Sequence, residues 1–242
     1  MGDALRVIFF CLLFQLSATS IKAQVFFAGF EAGVTYNHLN TDLFNQISFA
    51  NKNGVGYALD VLLKLTLNKH LSLNLHPGIL QKNYTFKRTG DFEGIFSHHT
   101  NTYLQMPVTT EILIWTATKK IRLFSAVGLF ATYWLAGNVK GKVPAIFSAT
   151  DRTSGNGEVI ENFQLSYYDG NYAFDCRKDN RIELGWLCGI SMQYDCNSKN
   201  KLVISLKYLQ SSTDQQKNYS INQMSRHNQT LNFTIGWLAS FK

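Results

Sequence analysis

Charge is sparse in this chain of 242 residues: only 16% are Asp, Glu, Lys or Arg. Beyond the first two dozen residues, no stretch stays apolar long enough to cross a membrane as a helix. A membrane-spanning reading is therefore confined to a closed barrel, the other arrangement that satisfies every backbone group in lipid. Cysteine is scarce as well. There are four, none in a CxxC spacing, which argues against a zinc or redox centre. No fixed-period repeat and no linker divides the chain. The net charge is +7, but no nucleic-acid motif and no basic helix accompanies it. Nucleic acid is therefore not an expected partner.

The N-terminus reads as a secretory signal peptide over residues 1–23. Arg6 precedes the apolar run from Val7 to Leu16, and Ser20-Ile21-Lys22-Ala23 offers a cleavage site of small residues. Cutting after Ala23 removes Arg6, Lys22 and Asp3 and leaves a net charge of +6 on one domain, residues 24–242. Cys11 leaves with the leader, while Cys176, Cys188 and Cys196 stay.

What the chain has in quantity is alternation. In residues 54–67 every second residue from Val55 through Tyr57, Leu59, Val61, Leu63 and Leu65 to Leu67 is apolar. The intervening positions hold Gly56, Ala58, Asp60, Leu62, Lys64 and Thr66. A strand sends successive side chains to opposite faces, so one face is greasy and the other can be wet. A helix would pair Asp60 with Lys64, but it would wrap leucines around the cylinder and have to accept Gly54 and Gly56. The same pattern recurs over residues 25–38, 71–79, 103–115, 181–194, 201–208 and 228–241. Pro77 marks a bulge in the second of these. Residues 121–137 are apolar on both faces, which leaves their orientation open.

These eight strands are joined by connections that run long, short, long, short, long, short, long. The expected fold is therefore all-β: an eight-stranded antiparallel up-and-down transmembrane β-barrel with short periplasmic turns and long external loops. The expected loops are residues 39–53, 82–101, 139–179 and 211–226. A soluble β-sandwich is the alternative that the composition leaves open.

The charges obey the alternation. Glu31, Asp60, Lys64, Glu111, Arg181, Glu183 and Lys207 all fall on the less apolar face. In a barrel that face is the lumen, which in eight strands is just wide enough for side chains to fill. The expectation is a lumenal charge network of paired acids and bases, with a conduction path as its alternative. Trp115 and Trp237 near one set of strand ends, with Tyr133 and Trp134 near the other, are the expected interface aromatics. Cys176 and Cys196 then lie at opposite ends and cannot pair within one chain.

Other chemistry is poorly supported. His98 and His99 are adjacent and lack a spaced partner, so loop surface is the better reading than a metal site. His38, Ser97 and Asp151 are the groups available for a hydrolase, but nothing in their spacing joins them. Cys188 on the lipid face reads as a small apolar residue. Neither enzyme activity nor a cofactor is expected.

Three stretches carry a family resemblance. FFAGFEAGVTYNHLN at the start, YLQMPVTTEI from Tyr103 to Ile112 and LNFTIGWLASF from Leu231 to Phe241 resemble the PorT-like, "porin family" outer-membrane barrels of Bacteroidota. The likeness runs over the whole mature chain. It implies an outer-membrane address, lipid as surroundings, and a last strand ending in Phe241 that the barrel-insertion machinery reads. It also implies envelope or secretion proteins as partners. The functional expectation is a structural or interaction role through the four long loops. A small-solute porin and an accessory part in type IX-like secretion are the alternatives.

Overall fold

The computed structural model describes residues 25–41, 48–153, 159–217 and 223–241. The expected signal peptide and Lys242 lie outside these residues. The strands are β1 (Val25–Thr41), β2 (Phe49–Thr66), β3 (Leu71–Leu75), β4 (Gly78–Gln81), β5 (Tyr84–Arg88) and β6 (Phe96–Thr116). They continue with β7 (Ile121–Thr153), β8 (Val159–Asn171), β9 (Ile182–Asp195), β10 (Asn200–Ser211) and β11 (Arg226–Phe241). Among the described residues the only helical segment is a 3-10 turn, Gly90–Phe92.

Strands β3, β4 and β5 form one interrupted stave. His76 and Pro77 separate the first two pieces, at the bulge expected around Pro77. Eight staves close into a ring, because β1 pairs with both β2 and β11. Strand β8 stands outside the ring and pairs only with the far half of β7. All pairings are antiparallel.

Following partners once around the ring gives its slant. Thr35 leads through Asn232, Lys207, Gly189, Ala126, Glu111, Ser72 and Thr66 to Val25, ten residues back along β1. Strands about 4.7 Å apart with a rise of about 3.3 Å per residue then tilt by about 41°. That is the slant of a small closed barrel, and it leaves no unpaired edge in the ring.

Burial follows the alternation in reverse of a soluble core. The apolar face is exposed: Leu129 is 69% accessible and Val61 49%. Glu31, Asp60 and Lys64 on the other face are buried. A continuous apolar belt of this size requires a covering other than water. The orientation of residues 121–137, open in the sequence, is settled here. Phe124, Ala126, Phe130, Thr132 and Trp134 turn inward, while Val127, Leu129 and Tyr133 turn outward.

The expected loops are corrected. Much of residues 39–53, 82–101 and 139–179 is strand, in the extensions of β1 and β2, in β5 with the start of β6, and in the β7–β8 hairpin. Neither face of these extensions is uniformly apolar, so composition disguises them as loop. Backbone pairing holds them instead. The strands β2, β5, β6, β7 and β8 thus rise as a wall above the ring, whereas β9 and β10 stop at Ile182 and Ser211. The alternation slips by one residue where the wall begins. Lys52 and Asn53 are both exposed, as are Leu135 and Ala136, and the β6–β7 register shifts between Thr102 and Tyr103.

Cys176, Cys188 and Cys196 are free and exposed. Cys176 follows β8 and Cys196 lies in the β9–β10 turn, at opposite ends of the barrel.

Candidate functional site

The lumen is arranged around three lysine–glutamate pairs. Nearest the short turns, Lys64 Nζ on β2 lies 2.6 Å from Glu111 Oε2 on β6. Ser191 Oγ donates to the other carboxylate oxygen at 2.6 Å, Gln193 Nε2 donates to Oε2 at 3.2 Å, and the lysine stands over the Phe124 ring. Halfway up, Lys207 on β10 pairs with Glu31 on β1. His76 Nδ1 is 2.8 Å from the same Glu31 oxygen, and Thr234 Oγ1 donates to the other at 3.1 Å. Nearest the wall, Lys82 pairs with Glu183, whose second oxygen accepts from Asn228 Nδ2 at 3.0 Å.

Apolar groups separate these pairs. Phe27, Leu62, Val203 and Leu238 pack together toward the short-turn end. Ala58, Leu80, Phe130, Leu187 and Leu209 form a second cluster. Its height follows from the chain: Leu209 lies two residues beyond Lys207 and Leu80 two before Lys82, so it fills the space between the second pair and the third. Glu31 is 1% exposed and Leu187 is fully buried. Each charge in these pairs is matched by an opposite charge, which offsets the several kcal/mol that burying an ion costs.

Asp60 differs. Its Oδ1 accepts from Gln105 Nε2 at 2.6 Å, and Oδ2 has no partner. Opposite it stands Gly78, where an added Cβ would come within 1.9 Å of Asp60 Oδ1. The carboxylate fits only because that neighbour has no side chain.

Of the seven charges expected in the lumen, Glu31, Lys64, Glu111, Glu183 and Lys207 join these pairs, and Asp60 is buried beside them. Arg181 does not join them. It sits just before β9 at the wall end, donating Nε and Nη2 to the Trp134 carbonyl at 3.0 and 2.9 Å and lying over the rings of Tyr133 and Phe174. Backbone carbonyls and π-faces replace the carboxylate it was expected to meet. Lys82 is the partner missed, because it opened an expected loop. The inward spacing of Gly78, Leu80 and Lys82 was the available signal.

Trp115 and Trp237 face outward near the short-turn end. Trp134 does not share that role at the other end. It is buried, stacked between Tyr103 at 5.9 Å and Tyr172 at 5.1 Å, and its Nε1 donates to the Ala136 carbonyl. Strict alternation from Phe124 carries it inward, and neighbouring Tyr133 takes the outward position.

In the wall, Ser97 Oγ lies 2.9 Å from His99 Nε2, a pairing that spacing alone did not disclose. Burial first, then the charges of Arg226 and His98, hold the His99 ring down to about 4. A base that weak gives little help to a serine nucleophile, and no carboxylate bonds to the ring among the described residues. Asp151 is not near: Ser97 pairs with Gly141, and Asp151 lies ten residues further along β7. His38 instead bonds to Asn53 at 2.6 Å. His98 and His99 point to opposite faces, His98 bonding to Thr85, so they cannot share one ion.

No curated protein matches the chain in sequence. Solved structures resemble it in fold. The outer membrane protease OmpT of Escherichia coli has a TM-score of 0.50 at 9% identity, over 93% of this chain and 99% of that one. OprG of Pseudomonas aeruginosa gives 0.47 at 9% identity, over 90% and 96%. Outer membrane protein W of E. coli gives 0.43 at 13% identity, over 89% and 97%. At such identities the likeness concerns the fold alone. The family model for the outer membrane protein beta-barrel domain matches residues 22–217, and the chain belongs to that family.

Proposed function

We propose that the protein is a closed outer-membrane barrel whose working part is the projecting wall rather than the lumen. The observation that carries this reading is the lumen's content. A solute would have to part three buried lysine–glutamate pairs and displace the cluster of Ala58, Leu80, Phe130, Leu187 and Leu209 that lies between the second and the third. Parting any one pair strands its charges in a low-dielectric interior, at a cost of several kcal/mol. The wall, in contrast, is longer than spanning requires.

Short turns at one end and long hairpins at the other support a periplasmic and an external side respectively. Export through the leader of residues 1–23 belongs to this reading, as does kinship with PorT-like barrels. A mature protein beginning at Gln24 on N-terminal sequencing is its check. The reading assigns no catalysis to Ser97 and His99.

Planar-bilayer recording tests the closed lumen. Purified protein is expected to stay electrically silent across the voltage range that the bilayer tolerates. Steady unitary conductance would overturn the proposal in favour of a small-solute pore.

A further inference from the structure

Above the apolar belt, the outward side chains change character. Lys52 on β2, Lys87 on β5, and Lys140 and Lys142 on β7 are all exposed. The pairings bring them onto one face. Lys52 faces Thr85, two residues from Lys87; Lys87 faces Phe96, which in turn faces Lys142; and His98 faces Lys140. None of these four lysines has a carboxylate within ion-pair distance among the described residues. The nearby acids are few. Asp169 faces Lys140 across the β7–β8 ladder and is held by Asn138 at 3.0 Å, and Glu93 lies at the hairpin tip.

A hollow is cut into this face. It measures about 390 Å³ and is lined by Lys52, Lys87, Glu93 and Phe96 and by the tip glycines Gly90 and Gly94, which have positive φ. A second hollow, of about 300 Å³, opens on the other side of the wall among Phe49, Phe86 and Tyr168. Arg88 faces Phe49 and turns to that other side, its guanidinium 5.1 Å from the Phe49 ring and 4.6 Å from Phe92, so it takes no part in the lysine face. On the lysine face itself, Phe96 and Tyr167 flank Lys142 on either side, so basic groups and rings stand together, as an anion attached to a ring with apolar faces requires.

The level of the site identifies the source. Lys52 lies three residues beyond the lipid-facing Val55, about 7 Å further from the bilayer core at the strand tilt above. Polar headgroups occupy that level, outside a hydrocarbon core of about 30 Å. We propose that this face binds the phosphate-bearing sugar headgroup of a surface glycolipid. The phosphate lies among Lys52, Lys87 and Lys142, and the sugar ring lies against Phe96 and Tyr167. The site's place in the cell rests on the external orientation proposed above, whereas its chemistry does not.

The test uses the full mature protein in neutral detergent micelles. Three probes are compared: a bis-phosphorylated acylated diglucosamine, the same lipid without phosphate, and soluble glucosamine phosphate. The phosphorylated lipid is expected to bind at least ten-fold more tightly than the other two. The double variant K87Q/K142Q is expected to weaken it by about twenty- to thirty-fold, from roughly five-fold per lysine beside an anionic lipid. The variant K119Q/K120Q, which removes the same charge from the exposed β6–β7 turn, is expected to leave binding unchanged. Heat-modifiable gel migration verifies that each variant is folded. Equal binding with and without phosphate overturns the proposal, as does equal loss in the turn variant. Soluble sugar phosphate binding as tightly as the lipid overturns the lipid source, and so does displacement of the lipid by an acidic peptide. Protease shaving of the β7–β8 hairpin on intact cells tests the orientation separately. Resistance there sinks the external reading while micelle binding stands.

Discussion

Lysine has two lives in this barrel. Inside, Lys64, Lys82 and Lys207 are buried, and each is held by a glutamate on another strand. Outside, on the wall, Lys52, Lys87, Lys140 and Lys142 are exposed and without a carboxylate among the described residues. The difference is one of solvent. A buried ammonium must find its counter-ion within the fold, since nothing else offsets its desolvation. An ammonium in water needs none and remains free to meet a partner from outside. The inner set therefore serves the barrel's integrity, and the outer set is available for recognition.

That contrast can be broken from within. Glu31 faces both Lys207 and His76, so Glu31→Ala would leave a buried cation unmatched. The expected loss is about 3–5 kcal/mol, the range for removing one partner of a buried pair. Urea titration of the folded, heat-modifiable band measures it. A loss below about 1 kcal/mol would mean that water reaches this level of the lumen.

A smaller effect sharpens the same point. Replacing a whole pair, as in Lys64→Met with Glu111→Leu, removes both charges together. Stability is expected to stay within about 1–2 kcal/mol of the parent or to rise, because paired buried ions often break even with apolar groups of like size. Ser191 and Gln193 then lose their acceptor, which limits any gain. A collapse as large as that of Glu31→Ala would show that the pair does more than neutralise itself.

The smallest effect belongs to the wall. The K87Q/K142Q variant that weakens lipid binding is expected to shift stability by no more than about 0.5 kcal/mol, as exposed substitutions do. A larger shift, read on the same urea titration, would place those lysines in the scaffold after all.

Much of the barrel was legible in the chain. Alternation with period two identified seven of the eight staves, and the one-sided placement of Glu31, Asp60, Lys64, Glu111, Glu183 and Lys207 identified the lumen. Those features are local, and the lipid solvent enforces them: a lysine or arginine turned to mid-bilayer costs roughly 2–4 kcal/mol. The wall was less legible. Residues of β5, the far half of β7, and β8 are polar or mixed on both faces, so no solvent contrast imprints an alternation on them. Residues 121–137 failed for the opposite reason, with Phe124, Phe130 and Trp134 apolar inside as Leu129 and Tyr133 are outside.

The sequence by itself determined the number of staves, the end at which the turns are short, and the face on which charge is allowed, because each is written in a local run of residues or in the connection that follows it. Only the tertiary structure decided which charge meets which. Lys82 and Glu183 are 101 residues apart in the chain, and Lys207 and Glu31 are 176 apart. Their meeting depends on a ten-residue slant of the ring, a quantity that no single strand contains. The same slant, with the slip at Lys52 and Asn53, turned four scattered lysines onto one outward face.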